Sequence, residues 1–152
     1  MQAGRDKAKI EFGQQDSVFA EYTNNLGFFY NEMGNYEKAL PLYIQAKNIY
    51  EKVLGLEHPS FATSLNNLAY LHKAMGNYEK ALPLYIQAIN IYEKVLGLEH
   101  PSFASLLNNL ALLHKAMGNY EEALPLLIQA KNIYEKVLGL AHPSFAISLN
   151  NL

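Results

Sequence analysis

The sequence predicts an all-α solenoid of antiparallel helix hairpins, and three observations carry that prediction. The first is internal repetition. His58-Pro59-Ser60-Phe61-Ala62 returns as His100-Pro101-Ser102-Phe103-Ala104 and again as His142-Pro143-Ser144-Phe145-Ala146, 42 residues apart each time. Residues 58–99 and 100–141 differ at seven positions: Thr63/Ser105, Ser64/Leu106, Tyr70/Leu112, Lys80/Glu122, Tyr85/Leu127, Ile89/Lys131 and Glu99/Ala141. A fixed period of this length marks a stacked-repeat architecture. The second observation is apolar spacing of three and four residues within each period, the signature of helices. The third is punctuation that recurs in phase: Gly76-Asn77 in mid-period and Gly97 before the next His-Pro.

The boundaries follow. Residues 16–57, 58–99 and 100–141 form three repeats, residues 142–152 begin the first helix of a fourth, and 1–15 form an N-terminal segment. Ala8, Phe12 and Gly13 lie 42 before Tyr50, Leu54 and Gly55. That register fits the end of a preceding repeat's second helix, and a frayed terminus fits equally.

In the second repeat, Pro59 suits the first turn of a helix, where its missing N–H costs nothing. Phe61, Leu65, Leu68, Ala69 and His72 share one face. Gly76 permits a left-handed terminator, and Asn77 is placed to cap the next helix. The second helix carries Tyr78, Ala81, Leu82, Tyr85, Ala88, Ile91, Tyr92, Val95 and Leu96 as a stripe. Its Pro83, like Pro41 and Pro125, falls beyond the first turn and predicts a tolerated kink. Ala69 and Ala81, with Gly27/Ala111 and Ala39/Ala123, are small where the two helices must cross closely. Gln45, Gln87 and Gln129, with Asn48, Asn90 and Asn132, mark a solvated outer face.

These residues resemble the tetratricopeptide repeat. The resemblance rests on Leu65-x-x-Leu68-Ala69-x-x-His72 followed by Gly76-x-Tyr78-x-x-Ala81-x-x-x-Tyr85-x-x-Ala88. The 42-residue length, the Asn-Asn pairs, the extension Ile91-Tyr92-Glu93-Lys94-Val95-Leu96-Gly97 and the His-Pro linker are similar to the kinesin light chain subclass. The first repeat departs, with Asp16-Ser17 for His-Pro and Thr23 for Leu65, and His72 and His114 stand where Tyr30 holds the usual tyrosine. The resemblance implies a right-handed superhelix whose first helices line a concave groove, and hence a protein–protein interaction scaffold that binds an extended peptide or partner segment. The alternative is a structural spacer, or the sensor or autoinhibitory array of a larger signalling protein.

The chemistry-bearing residues point away from catalysis. No paired-carboxylate, HExxH or phosphate-loop motif is present. There is no cysteine, and the five histidines recur at 42-residue spacing, too far apart to share a metal ion. No cofactor or metal is expected. The net charge of −2 and the lack of a basic run argue against nucleic acid. No apolar run approaches a membrane span and no signal peptide opens the chain, so a cytoplasmic location is expected.

Under the resemblance, the groove candidates are Asn24, Asn25, Asn66, Asn67, Asn108 and Asn109, then Phe28, Tyr70 and Leu112 one turn on, then Lys73 and Lys115. The amides suit a peptide backbone, the middle row suits apolar side chains, and the lysines suit an acidic partner. The Asn pairs serve equally well as bonds between neighbouring repeats, and the two members of a pair need not share a role. The Tyr36/Tyr43/Tyr50 stripe reads as packing. Phe145, Leu149 and Leu152 on the last helix, with no second helix to cover them, predict self-association.

Overall fold

The boundaries of the helices between residues 16 and 143 have local causes, and most of these causes repeat. The computed structural model describes residues 1–12 and 16–152. Eight helices and no strand occur among them: α1 (Gln2–Phe12), α2 (Ser17–Glu32), α3 (Tyr36–Leu54), α4 (Pro59–Ala74), α5 (Tyr78–Leu96), α6 (Pro101–Ala116), α7 (Tyr120–Leu138) and α8 (Pro143–Asn151). The pairs α2/α3, α4/α5 and α6/α7 are helix hairpins. They pack in series, α3 against α4, α5 against α6 and α7 against α8, while the first helices α2, α4, α6 and α8 also touch in succession.

The linker histidines are N-caps. The Nδ1 atoms of His58, His100 and His142 accept from the backbone N–H of Ser60, Ser102 and Ser144, at 3.1 Å in each case. In the first repeat Asp16 Oδ1 accepts from Val18 N–H at 2.7 Å. The Asp16-Ser17 departure therefore keeps the cap and changes only the acceptor.

The first helices α2, α4 and α6 each end in a Schellman turn. Gly76 has φ 76°, Asn77 N–H donates to His72 O at 2.8 Å, and Gly76 N–H donates to Lys73 O at 3.0 Å. The expected side-chain cap at Asn77 is not made, nor is one at Asn119, whereas Asn35 Oδ1 accepts from Lys38 N–H at 3.3 Å. All three asparagines have ψ of 61–72°, so backbone conformation does not separate Asn35, which caps its helix, from the two that do not.

Pro41, Pro83 and Pro125 sit inside uninterrupted helices. All three are exposed, so the carbonyl each one frees can bond water.

The core is a seam rather than a ball. Ala39, Tyr43, Ala69, Ala81, Tyr85, Ala111 and Ala88 are fully buried, as the crossing positions require. At the first crossing the fit is tighter still: a Cβ on Gly27 would stand 3.0 Å from Tyr43 Cδ1. The first helices are buried more widely than a single stripe. Ala62, Ser64 and Leu71 join the expected residues of α4, while His72 is only half-buried. α4 and α6 each touch their own partner and the second helix of the preceding hairpin, so two faces are covered. Val95, by contrast, is exposed with its copies Val53 and Val137, because it points away from the seam against which Tyr92 and Leu96 of the same turn pack.

α1 lies on α2. Arg5 stacks over the Phe19 ring at 5.2 Å, as Lys47 stacks over Phe61 at 5.7 Å one period later. Arg5 also donates to Thr23 Oγ1 at 3.2 Å and to Gln45 Oε1 at 3.0 Å. This satisfies the buried Thr23 hydroxyl that replaces a leucine, and it draws Gln45 away from the solvated role that Gln87 and Gln129 keep. Gly13 and the side chains of Ala8 and Phe12 lie outside the described residues. At the other end Phe145 is buried against the preceding hairpin, contrary to the expectation that it stands uncovered, whereas Leu149 and Leu152 are exposed. The apolar side chain at Phe145 falls on the face turned to α6 and α7, and the other two do not.

The close crossing generates a test. Ala81→Leu should overpack the α4/α5 seam and destabilise the chain by about 1–3 kcal/mol. Gln87→Leu, on the exposed face of the same helix, should change stability by less than about 0.5 kcal/mol. Urea titrations of the two variants check this, and equal effects would contradict the packing described.

Candidate functional site

The residues facing outward along the first helices form three rows, each set by the helical repeat. Asn66 and Asn67 sit one turn before Tyr70, and Lys73 follows three residues later, so all lie on one side of α4. The 42-residue period copies this side onto α2 and α6.

The asparagines bond across the repeats. Asn67 Nδ2 donates to Asn24 Oδ1 at 3.2 Å, Asn109 Nδ2 to Asn66 Oδ1 at 3.0 Å, and Asn151 Nδ2 to Asn108 Oδ1 at 2.9 Å. The second asparagine of each pair thus reaches the first asparagine of the preceding pair. Within one pair Asn66 Nδ2 donates to Asn67 Oδ1 at 3.2 Å, which links α2, α4 and α6 through one chain of amides. Asn24 is buried, Asn66, Asn67, Asn108 and Asn109 are half-buried, and Asn25 is exposed. A primary amide has two donors and an acceptor with two lone pairs, so the ladder leaves bonding capacity on the half-buried members.

The second row is Phe28, Tyr70 and Leu112. Phe28 and Tyr70 are exposed, at 48% and 37%, and Leu112 is half-buried. Such surface is available to apolar side chains. The third row is Asn31, Lys73 and Lys115. Asn31 is buried, and its Oδ1 has no hydrogen-bond partner among the described residues. Lys73 is half-buried, its Nζ lies 5.5 Å from the Tyr70 ring centroid, and burial lowers its pKa. Among the described residues no carboxylate pairs with it; ion pairs there include Lys47–Glu51, Lys94–Glu57, Lys131–Glu135 and Lys136–Glu99. Lys115 Nζ instead donates to the Asn151 carbonyl at 2.8 Å.

Beneath the rows lie tyrosines. Tyr43 and Tyr85 are fully buried, and their hydroxyls have no partner among the described residues. Burial raises both pKa values above the ordinary tyrosine range, helped at Tyr43 by the Glu32 carboxylate and then Tyr70, and at Tyr85 by Tyr70. Tyr92 and Tyr134 differ, because each hydroxyl meets one on a first helix: Tyr92 with Thr63 at 2.6 Å and Tyr134 with Ser105 at 2.7 Å. Tyr50 has Glu21 in the matching place, and burial followed by that carboxylate pushes its pKa up to about 12. The sequence reading does not single out these hydroxyl pairs. Their only trace there is that Thr63/Ser105 is one of the seven differing positions and keeps its hydroxyl.

His72 has its pKa lowered, first by burial and then by Lys80. Among the described residues no group of three histidines and carboxylates is placed to hold a metal ion, and no helix is long and apolar enough to cross a membrane. A larger hollow, about 450 Å³, lies on the opposite side between Pro125, Ile128 and Asn132. Its charged residues Glu99 and Lys136 pair with each other and leave no unmatched charge to direct a ligand.

The amide ladder is testable. Asn67→Ala should lower stability by about 1 kcal/mol, since it removes the bond from α4 to α2. Asn25→Ala, at an exposed member of the same motif, should stay within about 0.5 kcal/mol of the parent. Thermal melts of the two variants check it, and equal midpoints would contradict the ladder's role.

Comparison with known proteins places this geometry. Family models described as tetratricopeptide repeat match residues 19–101 and 103–144. None of the curated proteins compared matches the chain. Among solved structures, BtubC from P. vanneervenii superposes with a TM-score of 0.77 at 23% identity, over 90% of this chain and 55% of that one, a likeness of fold. A Podosopora anserina protein of kinesin light chain type with nearly identical TPR-like repeats superposes with a TM-score of 0.76 at 30% identity, over 97% of this chain and 70% of that one. A single-residue variant of that protein gives 0.78 at the same identity and coverage. The chain thus spans about half of the first of these proteins and more than two thirds of the second. The chain belongs to the tetratricopeptide repeat family, with kinesin light chain-like repeats, and its architecture is that of a protein–protein interaction scaffold.

Proposed function

We propose that the face formed by α2, α4 and α6 receives an extended segment of a partner protein, and that an acidic residue of that segment meets Lys73. The observation that carries this reading is Lys73 itself. A half-buried ammonium without a carboxylate partner among the described residues is costly, and the cost is relieved when a ligand supplies the opposite charge. Tyr70 beneath it adds exposed aromatic surface one turn away, the pairing of apolar anchor and charge that gives an interface both affinity and orientation. Phe28 and Leu112 extend the apolar row to either side, and the half-buried amides offer their remaining N–H and C=O groups to a peptide backbone. Lys115, engaged with the Asn151 carbonyl, contributes less than Lys73 in this reading.

The test uses a labelled peptide that carries one leucine and, three residues on, a glutamate. Tyr70→Ala should weaken it by about 1–3 kcal/mol at any salt concentration. Lys73→Glu should weaken it at any salt concentration and most at low salt, because salt screens the part of the attraction that passes through solvent. Fluorescence anisotropy at two salt concentrations measures both. Undiminished binding to both variants would place the binding surface elsewhere.

A second association rests on α8. Ile147, Leu149 and Leu152 are 56%, 46% and 47% exposed on and just beyond a nine-residue helix, an apolar edge that invites a second copy. Light scattering at rising concentration should report oligomers that Leu149→Glu reduces; a strict monomer at millimolar concentration would end this proposal.

A further inference from the structure

Two small pockets of the same construction lie between consecutive first helices, one period apart. The first, about 110 Å³, is lined by Thr63, Asn66, Tyr92, Ser102, Ser105 and Leu106. The second, about 190 Å³, is lined in the same register by Ser105, Asn108, Tyr134, Ser144, Ile147 and Ser148, with Asn109 beside them, so that Ile147 stands where the first pocket has Ser105. Both volumes hold several water-sized groups or one short side chain. Neither pocket has a charged lining residue. The polar groups are hydroxyls and amides, each able to donate and to accept. That lining disfavours a charged side chain and suits a small uncharged one that can hydrogen-bond.

The floors differ in an informative way. Residues 64, 106 and 148 share one register and read Ser, Leu, Ser. Ser64 Oγ is satisfied by Phe61 O at 2.6 Å. Leu106 floors the first pocket. Ser148 in the second pocket is fully buried, and its Oγ has no partner among the described residues. An unpaired buried hydroxyl is unfavourable, and here it lines a cavity large enough for a partner.

The spacing constrains the ligand backbone. Neighbouring helices stand about 8–10 Å apart. A polyproline II chain rises about 3.1 Å per residue with about three residues per turn, so every third side chain points the same way about 9 Å further on. Resting on the groove reading above, we propose that the two pockets are side-chain subsites for a bound segment in the polyproline II conformation. They take small uncharged hydrogen-bonding side chains, serine or threonine above all, from every third residue.

The experiment compares labelled peptides of about 12 residues, long enough to cross both pockets, on a Pro/Ala background. One series has serine at every third position, a second has valine there, and a third has serine at every second position. The protein variants are Ser148→Leu and Leu106→Ser. Each borrows the residue that a neighbouring repeat already holds in the same register, and circular dichroism checks that both stay folded. The serine-every-third peptide should bind about tenfold tighter than the other two series. Ser148→Leu should remove about that factor for this peptide and leave the valine series unchanged, and Leu106→Ser should strengthen the serine series. Equal affinity of the three series, or indifference of the serine peptide to Ser148→Leu, would overturn the subsites. So would the absence of binding by any series. The groove reading is judged apart from this by the leucine–glutamate peptide, which carries no serine. If Tyr70→Ala weakens that peptide while the three serine and valine series bind alike, the groove stands and the subsites fall.

Discussion

Each helix hairpin in this chain carries an apolar face that it cannot bury against itself, and the structure depends on the next hairpin covering it. Phe61, Ala62 and Leu65 of α4 share one buried cluster with Ala46, Ile49 and Tyr50 of α3, from the preceding repeat, and Phe103, Ala104 and Leu107 of α6 share it with Ala88, Ile91 and Tyr92 of α5. Burial of this kind supplies the main favourable term in folding, so each repeat's stability resides largely in its contacts with its neighbours. The crossings set how closely the faces approach. Where the tyrosine of the second helix is present, its partner is glycine or alanine: Gly27 with Tyr43, Ala69 with Tyr85. In the third repeat Leu127 stands in the tyrosine's place, beside Ala111.

Polar groups then hold the register that burial alone leaves loose. The cap at each first helix, histidine in three cases and aspartate in one, fixes where the helix begins. Schellman turns fix where it ends. The asparagine ladder fixes how one first helix sits beside the next, since its bonds join residues 43 apart rather than 42 and so tie unlike members of successive pairs. The outer Lys94–Glu57 and Lys136–Glu99 pairs span the same joints on the exposed side and add little by themselves. The staple and the proposed ligand face therefore share residues, and the half-buried amides are held in place before any partner arrives. Preorganisation of that kind lowers the entropic cost of binding.

Much of this was legible in the sequence because it is local or periodic. Pro59, Gly76 and Gly97 bound their helices through backbone geometry that any reader of the chain can apply, and Ala69 and Ala81 mark the crossings because the period repeats them. What was hidden involves partners that are distant or chemically disguised. The asparagine pairs announce themselves, yet which amide meets which depends on the offset of one helix against another. Asp16 looks like a loss of the His-Pro signal and proves to be the same cap with an oxygen acceptor. Thr23 looks like a core defect until Arg5, eighteen residues earlier, supplies its bond. Val95 fits the apolar stripe of α5 but stands at its outer edge, turned away from the core that Tyr92 and Leu96 meet, and Phe145 is buried because α8 turns it toward α6 and α7. At the candidate site, the Phe28/Tyr70/Leu112 row and Lys73 could be placed on one face from spacing alone. The lack of a carboxylate partner for Lys73 among the described residues, and the hydroxyls of Thr63 and Ser105 against Tyr92 and Tyr134, required the folded arrangement.

If stability is carried between neighbours, the chain should survive the loss of one whole period. Deletion of residues 58–99 joins Glu57 to His100 and leaves every interface type intact, including an Asn109-to-Asn24 bond in place of the Asn67-to-Asn24 bond. The direct measurement is a urea titration of this 42-residue deletion, followed by far-ultraviolet circular dichroism. The nearest-neighbour account predicts a folded, helical protein that unfolds in one cooperative transition at a lower midpoint than the full chain. A deletion variant with no cooperative transition, or one with an undiminished midpoint, would contradict it.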